Sequence, residues 1–153
     1  MDPRTPHAFS AMPHLLAQAA AATSDDRGGG NSHRSIVGTW HVTYTTGGAP
    51  GGEAFIQWHS DGTEWENINF PILGGTICMG NWKETDGNHV FRNHVGWLYD
   101  SGSLVGYFNE TETDELSKDG NSYNGTNETK IYDFSGNLQA DVTGTAAATR
   151  ILP

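Results

Sequence analysis

The chain has one cysteine, Cys78. No internal disulfide is possible, so packing and hydrogen bonds must hold the fold. Set between Ile77 and Met79, the thiol reads as a small buried hydrophobe. Basic residues are also scarce: 8 Lys and Arg stand against 18 Asp and Glu, a formal charge of −10. Nucleic acids and anionic membrane surfaces are repelled by such a chain, and neither is an expected partner. The acidity reads first as a solubility device and second as attraction for cationic ligands. No apolar run approaches the roughly 18 residues of a membrane-crossing helix, so no span is expected. A Gly-rich phosphate loop, a Gly-x-Ser-x-Gly elbow and a Cys-x-x-Cys pair are all missing. After Ser35, the helix formers Leu, Lys and Glu nowhere fall at helical spacing.

What is abundant points to strands and turns. Glycine accounts for 20 of 153 residues, and Thr and Asn crowd the second half. Residues 1–34 are rich in Pro, Ala, Ser and Gly, and 25–32 (Asp-Asp-Arg-Gly-Gly-Gly-Asn-Ser) read as a flexible linker. This region is expected to be a disordered leader. Its apolar stretch Met12 to Ala22 is short and atypical for a signal peptide, which leaves location open between cytoplasmic and exported. The folded domain is expected over 35–153.

Turn signals then recur at Gly47–Gly52, Ser60–Gly62, Pro71–Gly75, Thr85–Gly87, Asp100–Gly102, Lys118–Asn121 and Asp133–Asn137. Between them lie segments rich in β-branched and aromatic residues: Ile36–Thr46, Glu53–His59, Thr63–Asn69, Thr76–Glu84, Asn88–Tyr99, Ser103–Leu116, Ser122–Tyr132 and Leu138–Ile151. The links are short, and none has the length of a Greek-key crossover. Strands joined only by hairpins form an up-and-down sheet. Eight of them close into a barrel wide enough for one small ligand, and closure removes both free edges. The predicted fold is all-β, an eight-stranded antiparallel up-and-down barrel.

The first segment carries Gly38-Thr39-Trp40, and the last ends Thr149-Arg150-Ile151. This pairing resembles the lipocalin-like (calycin) group, in which a Gly-x-Trp on the first strand packs across the closed barrel end beneath an Arg from the last. The likeness spans Ile36 to Ile151 in strand number and connectivity. A helix after the barrel and a disulfide, both usual in larger lipocalins, are missing, so the chain looks more like the short bacterial lipocalin-like domains. The resemblance implies a ligand held inside the barrel and an Arg150–Trp40 cation–π contact.

Which face points inward depends on hairpin register, because a one-residue slip exchanges the faces. Ser60-Asp61-Gly62 fits a three-residue loop and equally a two-residue Asp-Gly turn. For Thr85-Asp86-Gly87 and Asp100-Ser101-Gly102 the three-residue form is preferred, with Gly in the position that needs positive φ. Trp82 then faces Val90 and Leu98 faces Leu104. The inner face becomes Trp82, Val90, Arg92, His94, Leu98, Leu104, Gly106, Phe108, Glu110 and Glu112. The outer face carries Phe91, Asn93, Val95, Trp97, Tyr99, Val105 and Tyr107. Only the first combines apolar wall with converging polar groups, as a ligand barrel requires.

The expected ligand is a small apolar or aromatic molecule, contacted by Tyr44, Trp58, Trp82, Arg92, His94, Leu98 and Phe108. His94 near Arg92, Glu110 and Glu112 has three readings. It sits in a self-satisfying polar cluster with Arg92 paired to Glu110. It touches the ligand. Or it is the general acid/base of a small-barrel isomerase, cyclase or lyase, with His94, Glu110 and Glu112 as catalytic residues. The run Glu110-Thr111-Glu112-Thr113-Asp114-Glu115 alternates acids with Thr and reads as a solvated rim. His41, His59, His89 and His94 include no pair two apart on one strand, so neither a metal nor another cofactor is expected. A third function is an interaction surface, with an outer patch of Phe91, Trp97 and Tyr107 and a possible homodimer.

Overall fold

The computed structural model describes residues 35–74 and 77–153. The expected disordered leader over 1–34 lies outside them. Eight antiparallel strands follow in chain order: β1 Gly38–Thr46, β2 Ala49–Trp58, β3 Thr63–Ile68, β4 Ile77–Asp86, β5 His89–Asp100, β6 Ser103–Leu116, β7 Ser122–Tyr132 and β8 Leu138–Arg150. Each pairs with its neighbours in sequence, and β8 pairs back onto β1 to close the barrel. Among the described residues the only helical piece is a single 3-10 turn, Pro71–Leu73.

Strand alternation sorts the side chains. On β1, Trp40, Val42 and Tyr44 point inward and are buried, while Thr43 and Thr45 face out. The pairs Trp40↔Arg150 and Val42↔Ala148 carry that inner face onto β8. At one end of the barrel, Ile36, Trp40, Val42, Ile56, Trp58, Val90, Leu116 and Tyr123 form a closed apolar plug. A second apolar cluster of Leu73, Cys78, Leu98 and Phe108 lies in the other half. Leu73, from the 3-10 turn, brings the β3–β4 connection onto this cluster. Cys78 is fully buried there, and its burial, with Glu66 and Glu64 nearby, pushes the thiol up to about 12. A thiol so strongly protonated is not a nucleophile.

The closed end is tied by Arg150. Its guanidinium lies 4.1 Å from the Trp40 ring. Its Nε donates to Gly120 O at 2.8 Å, Nη1 to Val37 O at 2.8 Å and Nη2 to Ser35 O at 2.6 Å. This side chain explains the glycine of Gly38-Thr39-Trp40. Gly38 has φ 139°, and a Cβ there would lie 2.6 Å from Arg150 Nη1.

Two hairpins differ from the three-residue form. The β4–β5 loop turns at Gly87-Asn88, with Asp86 paired to His89 and an irregularity between Glu84 and Asp86. The β5–β6 loop turns at Ser101-Gly102, with φ 49° and 82°, and has its irregularity between Leu98 and Tyr99. Ser101-Gly102 has positive φ at both central residues and Gly87-Asn88 at the first, two-residue turns that match the strand twist, and the bulge absorbs the odd residue. Trp82 therefore pairs with Arg92 rather than Val90, and Leu98 with Gly106 rather than Leu104. Each shift is of two residues, so the inner face survives except at Leu104, which pairs with Tyr99 and is exposed. Ser60-Asp61-Gly62 does take the three-residue form, closed by His59 N to Thr63 O at 2.9 Å. The first hairpin is tighter than its glycines suggest: β2 begins at Ala49, paired to Thr46.

The exposed apolar residues of the outer wall are not centred on Phe91 and Tyr107. On β2 to β4, Phe55, Trp65, Ile77 and Met79 are each half-exposed or more, and Trp97 is less so.

Replacing Arg150 by Ala should destabilise the barrel by about 1–3 kcal/mol, from the lost stacking and three carbonyls left without their donor. Arg150→Lys should recover less than half of this in urea unfolding, because one ammonium cannot reach three carbonyls in a fork. Full recovery by Lys would show that charge alone does the work.

Candidate functional site: a buried ionic layer across the barrel

The three-residue β2–β3 loop sets Trp58 opposite Glu64, so Glu64 and Glu66 turn inward and Trp65 turns out. On β5 the inward positions hold Arg92 and His94, and on β6 Glu110, Glu112 and Asp114. These side chains form a polar layer between the two apolar clusters. Glu64, Arg92 and Asp114 are completely shielded from solvent, and Glu66, His94 and Glu112 nearly so. The acidic run on β6 is therefore not a solvated rim. Its inward acids are drawn into the barrel by the two cations facing them across β5 and β6.

Arg92 is the hub. Its Nη1 lies 2.9 Å from Glu66 Oε2 and 3.6 Å from Glu64 Oε2. Its Nη2 donates to Tyr44 Oη at 2.7 Å and contacts Glu112 Oε2 at 3.2 Å and Glu110 Oε1 at 3.3 Å. The Tyr44 hydroxyl passes its own hydrogen to Glu66 Oε2 at 3.3 Å. His94 bridges two strands: Nε2 is 3.1 Å from Glu110 Oε1. Nδ1 is 3.3 Å from both Glu64 Oε1 and Glu66 Oε2. Glu110 also accepts from Thr129, and at 13% exposure its side chain is the most open of the layer's ion pairs.

Glycine makes the crossing possible. On β4, Gly80 pairs with Glu64 on one side and His94 on the other. A Cβ on Gly80 would lie 2.7 Å from Glu64 Oε1, so any larger residue would occupy the space where the two side chains meet.

The charges settle accordingly. Burial and Arg92 both work against a charged His94, but the carboxylates of Glu110, Glu64 and Glu66 around it prevail and raise it to about 10. Glu110, against its burial, is lowered by His94 and Arg92 to about 2. Glu64 is lowered for the same reason. Burial outweighs Arg92 at Glu66, which is raised. Asp114 is raised well above the usual carboxyl range by burial and by Glu112 beside it. At neutral pH such an arrangement makes His94 a proton donor rather than a base.

The expected residues fall into three groups. Tyr44, Arg92, His94, Glu110 and Glu112 meet in the layer, although Glu112 contacts Arg92 and not His94. Leu98 and Phe108 pack together, with Phe108 edge-on to His94 at 5.5 Å. Trp58 and Trp82 lie on the opposite side of the layer, in the closed plug. There Trp58 approaches Arg92 at 5.8 Å, and Trp82 donates to His59 O and Thr63 O. Glu64, Glu66 and Asp114 escaped the sequence reading. Counting inward from Trp58 through a three-residue loop would have found the two glutamates.

No family model matches the chain, and neither a curated protein nor a solved structure matches it. The fold and the layer define it as a closed up-and-down barrel with ionisable groups in its core.

Asp114 gives a test of the layer's cost. Neither of its carboxyl oxygens has a hydrogen-bond partner. Its folded-state affinity for a proton is raised, so folding is penalised once pH exceeds the unfolded value near 3.8. Asp114→Asn should raise Tm at pH 7.5 by about 3 °C or more, with no gain at pH 3. An equal or lower Tm at pH 7.5 would contradict the burial cost.

Proposed function

We propose that this protein binds a small apolar or aromatic molecule in the half of its barrel that holds Leu98 and Phe108, as the lipocalin-like proteins it resembles do. One observation carries the reading: inward-facing residues of β7 and β8 are only partly buried. Tyr123 and Ala146 fix the inner faces of these strands. By alternation Asn127, Thr129 and Ile131 on β7, and Ala140, Val142 and Gly144 on β8, point the same way, and all retain partial exposure. Solvent thus reaches the inner wall on this side, where β8 presents nothing larger than Val. Across the barrel stand Leu98 and Phe108. The ionic layer is the floor, with His94, Glu110 and Thr129 as polar anchors. Apolar wall with a few convergent polar groups is the usual make-up of a small-molecule site.

A groove of about 440 Å³ also lies among Thr111, Thr113, Thr126, Asn127, Glu128, Thr143 and Gly144. Its threonines and Glu128 belong to the outward-facing rows of β6 to β8, and it offers no aromatic wall. It is not the site proposed.

The neutral fluorophore N-phenyl-1-naphthylamine provides the test. The wild type should bind it saturably, with a blue shift of its emission. Val142→Trp fills the space from β8 and should weaken binding by about tenfold or more while the fold is kept, as judged by far-UV circular dichroism. Absence of saturable binding, or equal binding by a folded Val142→Trp, overturns the proposal.

A further inference from the structure

We propose that Glu64, Glu66 and His94 form a binding site for one divalent transition-metal ion. The ligand atoms these three side chains offer all lie within 4.8 Å of one another.

The argument begins with the His94 ring. Its Nε2 faces Glu110, at 3.1 Å, and in the neutral ring that nitrogen carries the hydrogen. The lone pair on Nδ1 then points towards two carboxylates, 3.3 Å from an oxygen of each. A lone pair in that position needs a cation. In the metal-free protein a proton supplies it, held between Glu64 and Glu66 with no hydrogen bond in line with Nδ1. A metal ion would displace that proton and take the same lone pair. Ligands about 2.0–2.1 Å from a tetrahedral centre stand roughly 3.3–3.4 Å apart. The separations of 3.3 Å from Nδ1 to Glu64 and to Glu66 are those of ligands sharing an ion.

A second observation points the same way. Glu64 is entirely shielded from solvent, yet neither of its carboxylate oxygens has a hydrogen-bond partner. Gly80 keeps the space between Glu64 and His94 clear of any side chain. The surroundings are those of a metal site as well. A ligating imidazole characteristically donates its other N–H to a carboxylate, the part played by Glu110. Tyr44 and Arg92 both hydrogen-bond Glu66 and fix its carboxylate. Arg92 is the one permanent cation of the layer and faces Glu64, Glu66, Glu110 and Glu112, so a divalent ion does not make the layer positive. One imidazole with two carboxylates suits Zn²⁺, Mn²⁺ or Fe²⁺ better than Ca²⁺ or Mg²⁺, which favour all-oxygen shells.

The full chain, stripped with a chelator, is titrated with Zn²⁺ by calorimetry and with Co²⁺ by visible absorption at pH 7.5. We expect one tight equivalent and the intense d–d bands of a four-coordinate cobalt site. Glu64→Gln, which keeps shape and removes the charge, should weaken that equivalent by about tenfold or more. It leaves His7, His14 and His33 untouched, so binding that persists unchanged in this variant belongs elsewhere and overturns the proposal. So does the weak spectrum of a hexahydrate-like cobalt ion in the wild type, a measurement that decides the matter even if the variant fails to fold. Naphthylamine binding requires no metal, so the two proposals can fail separately.

Discussion

Everything inside this barrel is arranged around a guanidinium that has no access to water. Arg92 carries a permanent charge, and its burial is tolerable only if anions come in with it. Tyr44, Glu64, Glu66, Glu110 and Glu112 converge on its two terminal nitrogens from β1, β3 and β6. The consequences run outward from there. Acids must occupy inward positions on strands whose outward positions hold tryptophan and threonine. A glycine, Gly80, must sit on the intervening β4 so that long side chains can cross it. The apolar core must split into two clusters, one on each side of the layer. Replacing such a network by well-packed hydrophobic residues is often neutral or stabilising. Keeping it is more easily understood as a demand of function than of folding.

The two halves of the core accordingly do different work. The closed plug is dense with large rings: Trp40 meets Tyr123 edge-on at 4.9 Å, and Trp58 meets Trp82 at 5.8 Å. Rings packed this way stabilise beyond the area they bury. Above the layer the packing is asymmetric, with Phe108 and Leu98 on one wall and Ala140, Val142 and Gly144 on the other. Stability is concentrated at one end and room at the other.

Strand number and order were legible because the turn residues are explicit and every link is short. The pairing of Arg150 with Trp40 was legible because two residues at opposite ends of the domain carry it. The inner face of β5 and β6 was also legible, although by a route that needed correction. The loops are two residues long with an adjacent bulge, and the bulge restores the alternation that the shorter turn would have reversed. What hid Glu64 and Glu66 is the inversion on β3. Trp65 is 53% exposed between two buried glutamates, against the ordinary sorting of apolar inside and charged outside. Nothing in the Glu64-Trp65-Glu66 triplet announces that inversion, because it is set by Arg92 and His94, two strands away. Reading histidines only in pairs likewise hid a cluster in which carboxylates supply two of the three groups.

Closure of the sheet through β1 and β8 has a kinetic side. The first and last strands are the most distant in the chain, yet Ile151 N bonds Thr39 O at 2.8 Å and Arg150 reaches back to Val37 and Ser35. Every other strand pair forms by local hairpin closure; this one must wait for the whole sequence to be present. Until then the edge of β1, bearing Trp40, Val42 and Tyr44, has no partner, and an unpaired edge of that kind invites association with other chains. A nascent or partly unfolded molecule of this protein is therefore most vulnerable at its oldest strand, and β8, synthesised after all the others, acts as its own chaperone for β1.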